Sequence, residues 1–127
     1  MPYVQLDLPV AVPPEERAGL AAAVGNTYAE TMQTETERVS VAFRELGEDG
    51  VLRCMPGGPR PVVVVHADIR RGRPAEQRES LARALTALLT IRLGVEDVVL
   101  YVTEHDPTEI FRDGSFTTDW EPPVKGG

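Results

Sequence analysis

Cysteine is nearly absent from this 127-residue chain, and the single thiol, Cys54, has no partner for an internal disulfide. That usage suits a reducing compartment, so a cytoplasmic location is the expectation. Two histidines, His66 and His105, are too few for a metal site unless carboxylates help. No Cys-His set has metal-ligand spacing, no Gly-rich phosphate loop follows a strand, and there is no nucleophile elbow. Long apolar runs are missing as well. Residues 62–65 form the longest candidate, far below the roughly 18 residues of a spanning helix. Asp7, Glu15 and Glu16 interrupt the N-terminus, so no secretory leader is read there and no membrane partner is expected. Basic residues are outnumbered, 13 Lys and Arg against 20 Asp and Glu, for a net charge of −7. Phosphate backbones need a basic face, which excludes a general nucleic-acid binder.

What is present is an ordinary globular balance, 42% hydrophobic and 26% charged, in a chain of single-domain size. Residues 3–8 (YVQLDL) alternate as a half-buried strand. Residues 13–16 (PPEE) then open a helix, with proline tolerated in its first turn and acids favoured at its positive end. Leu20, Val24, Tyr28 and Met32 recur every fourth residue along one face, predicting a helix to about residue 34. Residues 38–46 alternate as a second strand. The order then repeats: a β-branched strand over 61–69, a helix with a Leu81, Leu85, Leu88, Leu89 stripe stopped at Gly94, and a strand over 97–103.

At an offset of 59 residues, Pro2 falls opposite Pro61, Val41 opposite Leu100 and Glu45 opposite Glu104. The fold class expected is α/β (α+β): two β-α-β units, 2–46 and 61–104, forming a four-stranded mixed sheet with two helices on one face. Residues 47–60 read as a Gly- and Pro-rich linker with a short hairpin at 51–53. Residues 105–127 form a polar tail whose Phe111, Phe116 and Trp120 must pack on something, with a frayed end over 122–127. No helix remains for the second sheet face, which predicts an oligomer.

Two features carry possible chemistry. If Met1 is removed, Pro2 becomes a secondary amine at the edge of a sheet. An unperturbed α-amino group titrates at about 7.7–8.0 and nearby cations lower it toward the range useful to a general base. The alternative is a start without chemical meaning. Arg70, Arg71 and Arg73 surround Gly72 between a strand and a helix, where guanidinium forks could grip a carboxylate. The alternative is a solvated turn paired with Glu76 or Glu79. His66 reads as a packed or hydrogen-bonded strand residue, His105 as exposed, and Cys54 as a bystander.

These residues resemble the tautomerase superfamily. Residues 69–73 (Ile-Arg-Arg-Gly-Arg) and 100–104 (Leu-Tyr-Val-Thr-Glu) are similar to the cis-3-chloroacrylic acid dehalogenase branch, in which two oxalocrotonate tautomerase-like units are fused. The likeness spans roughly 2–46 and 61–116, with its specific part in the second half. It implies a tautomerase-like fold, a homotrimer, no cofactor, and an N-terminal proline acting as general acid and base in enol–keto tautomerisation of a small 2-oxo acid. Pro2 matches the catalytic proline, Arg70 and Arg73 the carboxylate-binding pair, and Tyr101 the tyrosine that assists at the reacting carbon. Tyr28 stands where the branch has a histidine, with Asn26 nearby. Arg112 stands where the branch has a water-activating glutamate, and arginine is no general base at neutral pH. Glu109 or Asp113 would have to serve instead for a hydratase, dehalogenase or decarboxylase acting on an unsaturated or 3-oxo acid. Arg112 would otherwise add a third cation, favouring a dianion. A non-catalytic ligand-binding or assembly module is the remaining alternative.

Overall fold

A computed structural model describes residues 2–123; Met1 and residues 124–127 lie outside the described residues. The first unit is β1 (Tyr3–Leu8), α1 (Pro14–Met32) and β2 (Ser40–Glu45), with a short 3₁₀ turn, Thr36–Arg38, leading into β2. A hairpin of β3 (Leu52–Met55) and β4 (Gly58–Pro61) intervenes. The second unit is β5 (Val63–Arg70), α2 (Ala75–Leu93) and β6 (Val98–His105), and a small hairpin, β7 (Phe111–Arg112) and β8 (Ser115–Phe116), follows in the tail.

The sheet order is β2-β1-β5-β6. Each unit contributes one parallel pair, β1 with β2 and β5 with β6, and the units meet along an antiparallel β1–β5 ladder with Tyr3 opposite Asp68. Side chains alternate across the pleat, so Val4, Leu6 and Leu8 of β1 and Val63, Val65, Ala67 and Ile69 of β5 face the helices and are buried. They meet Leu20, Val24, Tyr28 and Met32 of α1 and Leu81, Leu85 and Leu89 of α2. The four-residue spacing read from the sequence is thus the core stripe of each helix.

Several boundaries move. α1 ends at Met32, capped by Gln33 at φ 52, whereas α2 ends as expected at Gly94, φ 65. Residues 47–60 are not a loop with a minimal hairpin: two four-residue strands pair there, and Arg53 and Arg60 both reach Asp97. The repeat offset also changes. The helices run 14–32 and 75–93, an offset of 61 that superposes Leu20, Val24 and Tyr28 on Leu81, Leu85 and Leu89. The β1–β2 register steps by 37 and the β5–β6 register by 35, so the offset falls to 59 only in the second strand. The counterpart of Pro2 is therefore Val63, not Pro61.

The sheet face away from the helices is mixed: Val64, Val99 and the exposed Tyr101 share it with a polar network on β1. Tyr3 Oη donates to Gln5 (3.3 Å), Gln5 to Asp7 (3.3 Å), and Asp7 pairs with Arg44 (3.1 Å). Polar pairing thus satisfies the β1–β2 side of this face in water. Among the described residues no helix is long and apolar enough to cross a membrane.

Candidate anion-binding site

β1 and β2 begin at the end of the sheet where β5 and β6 finish. Pro2 lies there, buried, its carbonyl accepting from Ser40 N–H at 3.1 Å. That bond sets the start of β2 beside Pro2, and Arg38 lies two residues before the strand. From the other side β5 brings Arg70 to the same end.

A cleft opens here in two lobes. One is bounded by Gln33, Thr34, Trp120 and Glu121, the other by Glu37, Arg112, Ser115 and Phe116; Glu35, Arg38, Arg70 and Thr118 belong to both. Burial and the repulsion of Arg38 and Arg112 push the Arg70 guanidinium below its ordinary proton affinity, so three cations act on one space. Arg38 is paired to Glu35 at 3.6 Å and Arg112 to Asp113 at 3.6 Å, while Arg112 Nε is buried with no hydrogen-bond partner. An arginine-rich cleft with an unsatisfied buried donor can hold an anion.

Arg73 is differently employed. The residue is 6% exposed, and its guanidinium donates to the Met32 carbonyl from Nε (3.3 Å) and Nη2 (3.0 Å), and to the Arg70 carbonyl from Nη1 (3.4 Å). The Trp120 ring covers it at 4.5 Å. Burial, against the opposing pull of Tyr28, lowers its pKa to about 10. It braces the end of α1 and does not line the cleft. Arg71 is solvent-facing and pairs with Asp106 and Asp119, not with Glu76 or Glu79.

Tyr28 is fully buried, its hydroxyl unpartnered and its pKa pushed up to about 12 by burial despite Arg73 and Arg70 nearby. It is a core residue that does not line the cleft, and Asn26 accepts from Thr36 on the surface. Tyr101 is 60% exposed on β6, opposite His66. Arg70 pairs with His105 four positions further on, about 13 Å along the strand, so one chain does not bring Tyr101 to the cleft. Asp113 occupies a hairpin turn at φ 53 with Gly114 at φ 86. Its side chain is 86% exposed at the rim of the Arg112 lobe. Glu109 is exposed and does not line either lobe.

His105 is not exposed. It closes β6 with its side chain 8% exposed, Nδ1 bound to Asp68 at 3.1 Å. Asp68 also accepts from Thr103 Oγ1 at 2.7 Å, and Thr103 meets His66 Nε2 at 2.9 Å. An ionised carboxylate only accepts, so Nδ1 carries the His105 proton. His66 is hydrogen-bonded as expected. Phe111 and Phe116 pack edge-to-face at 5.2 Å, and Trp120 packs on Arg73. Among the described residues no cluster of metal-ligating side chains occurs.

Sequence reasoning missed Arg38, Glu35 and Glu37. No motif marks them; only the parallel register of β2 with β1 brings them to the end where β5 delivers Arg70. The β7–β8 hairpin did have a signal, Asp113-Gly114, the favoured pair for a tight turn with two positive φ values.

No family model matches the chain, and no curated protein matches it. Solved structures do. A member of the cis-3-chloroacrylic acid dehalogenase family aligns with TM-score 0.81 and 23% identity over 92% of this chain and 84% of that one. A fused 4-OT solved as an asymmetric trimer gives 0.77 and 20% over 90% and 94%. A malonate semialdehyde decarboxylase inhibited by 3-bromopropiolate gives 0.71 and 23% over 86% and 87%. The chain has the fold of the tautomerase superfamily.

Proposed function

We propose that this tautomerase-fold chain is a cofactor-independent tautomerase of a small 2-oxo acid or its enol. The observation that carries the reading is the cleft lined by Arg70 and Arg38 at the end of the sheet where Pro2, buried and bordering neither lobe, precedes β1. Arg70 and Arg38 hold the substrate carboxylate and stabilise charge growing on the carbonyl oxygen as the enol ionises. The Pro2 nitrogen, freed by removal of Met1, takes the enol hydroxyl proton and returns a proton to carbon, each transfer being worth about 10²–10⁴-fold. Arg112, with its unpartnered Nε, extends the cation set to a second anionic group and favours a dianion.

Tyr101 acts in this reading from a neighbouring subunit, because its own strand carries it about 13 Å from Arg70. A homotrimer supplies that neighbour; the support is the trimeric fused 4-OT of the same fold. The protein acts in the cytoplasm, without nucleic-acid or membrane partners.

A second reading keeps the site and changes the reaction to hydration, dehalogenation or decarboxylation of an unsaturated or 3-oxo acid. It rests on Glu35, Glu37 and Asp113, carboxylates lining the arginine cleft and able to activate water. The dehalogenase-family and decarboxylase neighbours favour keeping it. Ketonisation of phenylenolpyruvate, followed by ultraviolet absorbance, tests the first reading. The protein starting at Pro2 is expected to be fast and one extended by a residue slow. Rates equally fast would remove Pro2 from the mechanism. Equally slow rates, with hydration of a 3-haloacrylate or of 3-bromopropiolate, would turn the assignment to the second. Inactivity throughout, with Met1 retained on the natural protein, would leave a ligand-binding or assembly module.

A further inference from the structure

The tail segment 118–120 docks on the Arg70–Arg73 turn residue by residue. Arg70 Nη1 donates to the Thr118 carbonyl at 2.6 Å. Arg71 pairs with Asp119 at 3.0 Å. Gly72, at φ 123, lies so close that an added Cβ would stand 3.2 Å from the Trp120 carbonyl oxygen. The Trp120 ring covers Arg73, and its Nε1–H is directed at the Gln33 carbonyl at 3.4 Å. A neutral carbonyl oxygen therefore occupies the one buried arginine that lines both lobes of the cleft. Arg70 and Thr118 both border each lobe, as do Glu35 and Arg38.

We propose that residues 118–120 form a latch that a substrate carboxylate opens: a carboxylate oxygen replaces the Thr118 carbonyl on Arg70, and the released segment lifts Trp120 from Arg73. The inference rests on the carboxylate-binding reading of the cleft but not on any turnover. An ionised acceptor binds a guanidinium more strongly than a neutral carbonyl does, so the exchange runs in favour of the acid. Described bonds engage three of the five N–H donors of Arg73. Once uncovered, its remaining donors join those of Arg70. The closed form keeps Arg70 on the Thr118 carbonyl and Arg73 under Trp120, away from other acceptors.

Trp120 is the sole tryptophan of the chain and reports the movement directly. Its emission is titrated with malonate and with propionate at constant ionic strength, with propionamide as the uncharged control and calorimetry as an independent measure of binding. A saturable red shift is expected with the acids as the ring leaves the Arg73 guanidinium for water. No shift is expected with propionamide, nor with malonate on Arg70→Met. Acid binding seen by calorimetry with unchanged emission would overturn the latch, as would failure of both acids to bind. The double variant Arg71→Gln, Asp119→Asn removes a pin without changing net charge and keeps Arg38, Arg70 and Arg73; Asp119 itself borders one lobe and acts on Arg70, so the free-state emission is the deciding readout. The variant is expected to bind malonate roughly 2–5-fold tighter, the range of one exposed ion pair, and to emit part-way to the red in the free state. Weaker binding would show the tail to be a wall of the site, overturning the proposal. Both readouts work on an enzymatically silent protein, so a latch without ketonisation would sink only the tautomerase reading, and ketonisation without a latch only this one.

Discussion

The two ends of the sheet are copies of one another by the internal repeat, and their chemistry is opposed. At one end the cleft is bordered by Thr34, Glu35, Arg38 and Arg70. At the other, Pro9, Val10, Val62, Val63 and Val95 border a smaller and mostly apolar hollow whose charged rim is Glu48, Arg60, Glu96 and Asp97. Thr34 and Glu35 correspond to Val95 and Glu96, Arg70 to Pro9 and Pro2 to Val63, all at the offset of the helices, and Arg38 corresponds to Asp97 at that of the second strands. A cation at one end is thus an acid at the other, held there by Arg53 and Arg60 of the β3–β4 hairpin. The amine proposed at Pro2 is likewise matched by the buried backbone amide of Val63, the first residue of β5, whose nitrogen has no basic lone pair. The two β-α-β units form two matching corners; one keeps cations round a hollow, and the other spends its charge on fastening a hairpin.

The contrast can be broken in order of size. Leaving one residue before Pro2 is expected to lower ketonisation by at least about 10²-fold in steady-state assays. A retained rate would mean that the two corners do not differ in the way argued. Next, Arg70→Ala is expected to raise KM by on the order of 10–100-fold, the worth of a hydrogen bond to a charged partner, whereas Pro9→Ala at the matching position leaves KM unchanged. Equal effects would erase the distinction between the corners. Tyr28 and its counterpart Leu89 are both fully buried, but only the phenol titrates. Its folded pKa of about 12 lies above the ordinary 10.0, so the folded state keeps a proton that the unfolded state gives up. Stability is therefore constant below pH 10 and falls between 10 and 12. Tyr28→Phe should remove on the order of 1 kcal/mol of that loss at about pH 11, read from urea midpoints, with little change at neutral pH. The smallest effect concerns the helix ends. Gln33 holds φ 52 where Gly94 holds φ 65, so Gln33→Gly should stabilise and Gly94→Gln destabilise, each by about 0.5–1 kcal/mol in thermal melts.

Fold and site were legible to different depths. Alternation in residues 3–8 and 38–46 and the four-residue stripe from Leu20 to Met32 are local signals, because burial on one face leaves a period in the sequence. The repeat offset was legible only approximately. Equal spacing favoured 59, and two residues fewer between helix and second strand in the later unit shift the first strand and helix to 61. Arg70 was readable from its turn. Arg38 was not, because an arginine between Glu37 and Val39 carries no signal until β2 pairs parallel with β1. His105 was misread because its burial depends on Asp68, a neighbour across the β5–β6 ladder and distant in the chain. The same holds for Arg73: nothing in its turn announces that Trp120 lies over it.

Cys54 is exposed on the β3–β4 hairpin, which is fastened to Asp97 at the start of β6, the far end of the sheet from Trp120. The chain thus carries one thiol and one indole at opposite poles, each unique. A single dye on unmutated protein would mark every subunit once. Energy transfer from the indole would then measure the cleft against the hairpin within a chain, and mixing labelled with unlabelled protein would count the copies in an assembly.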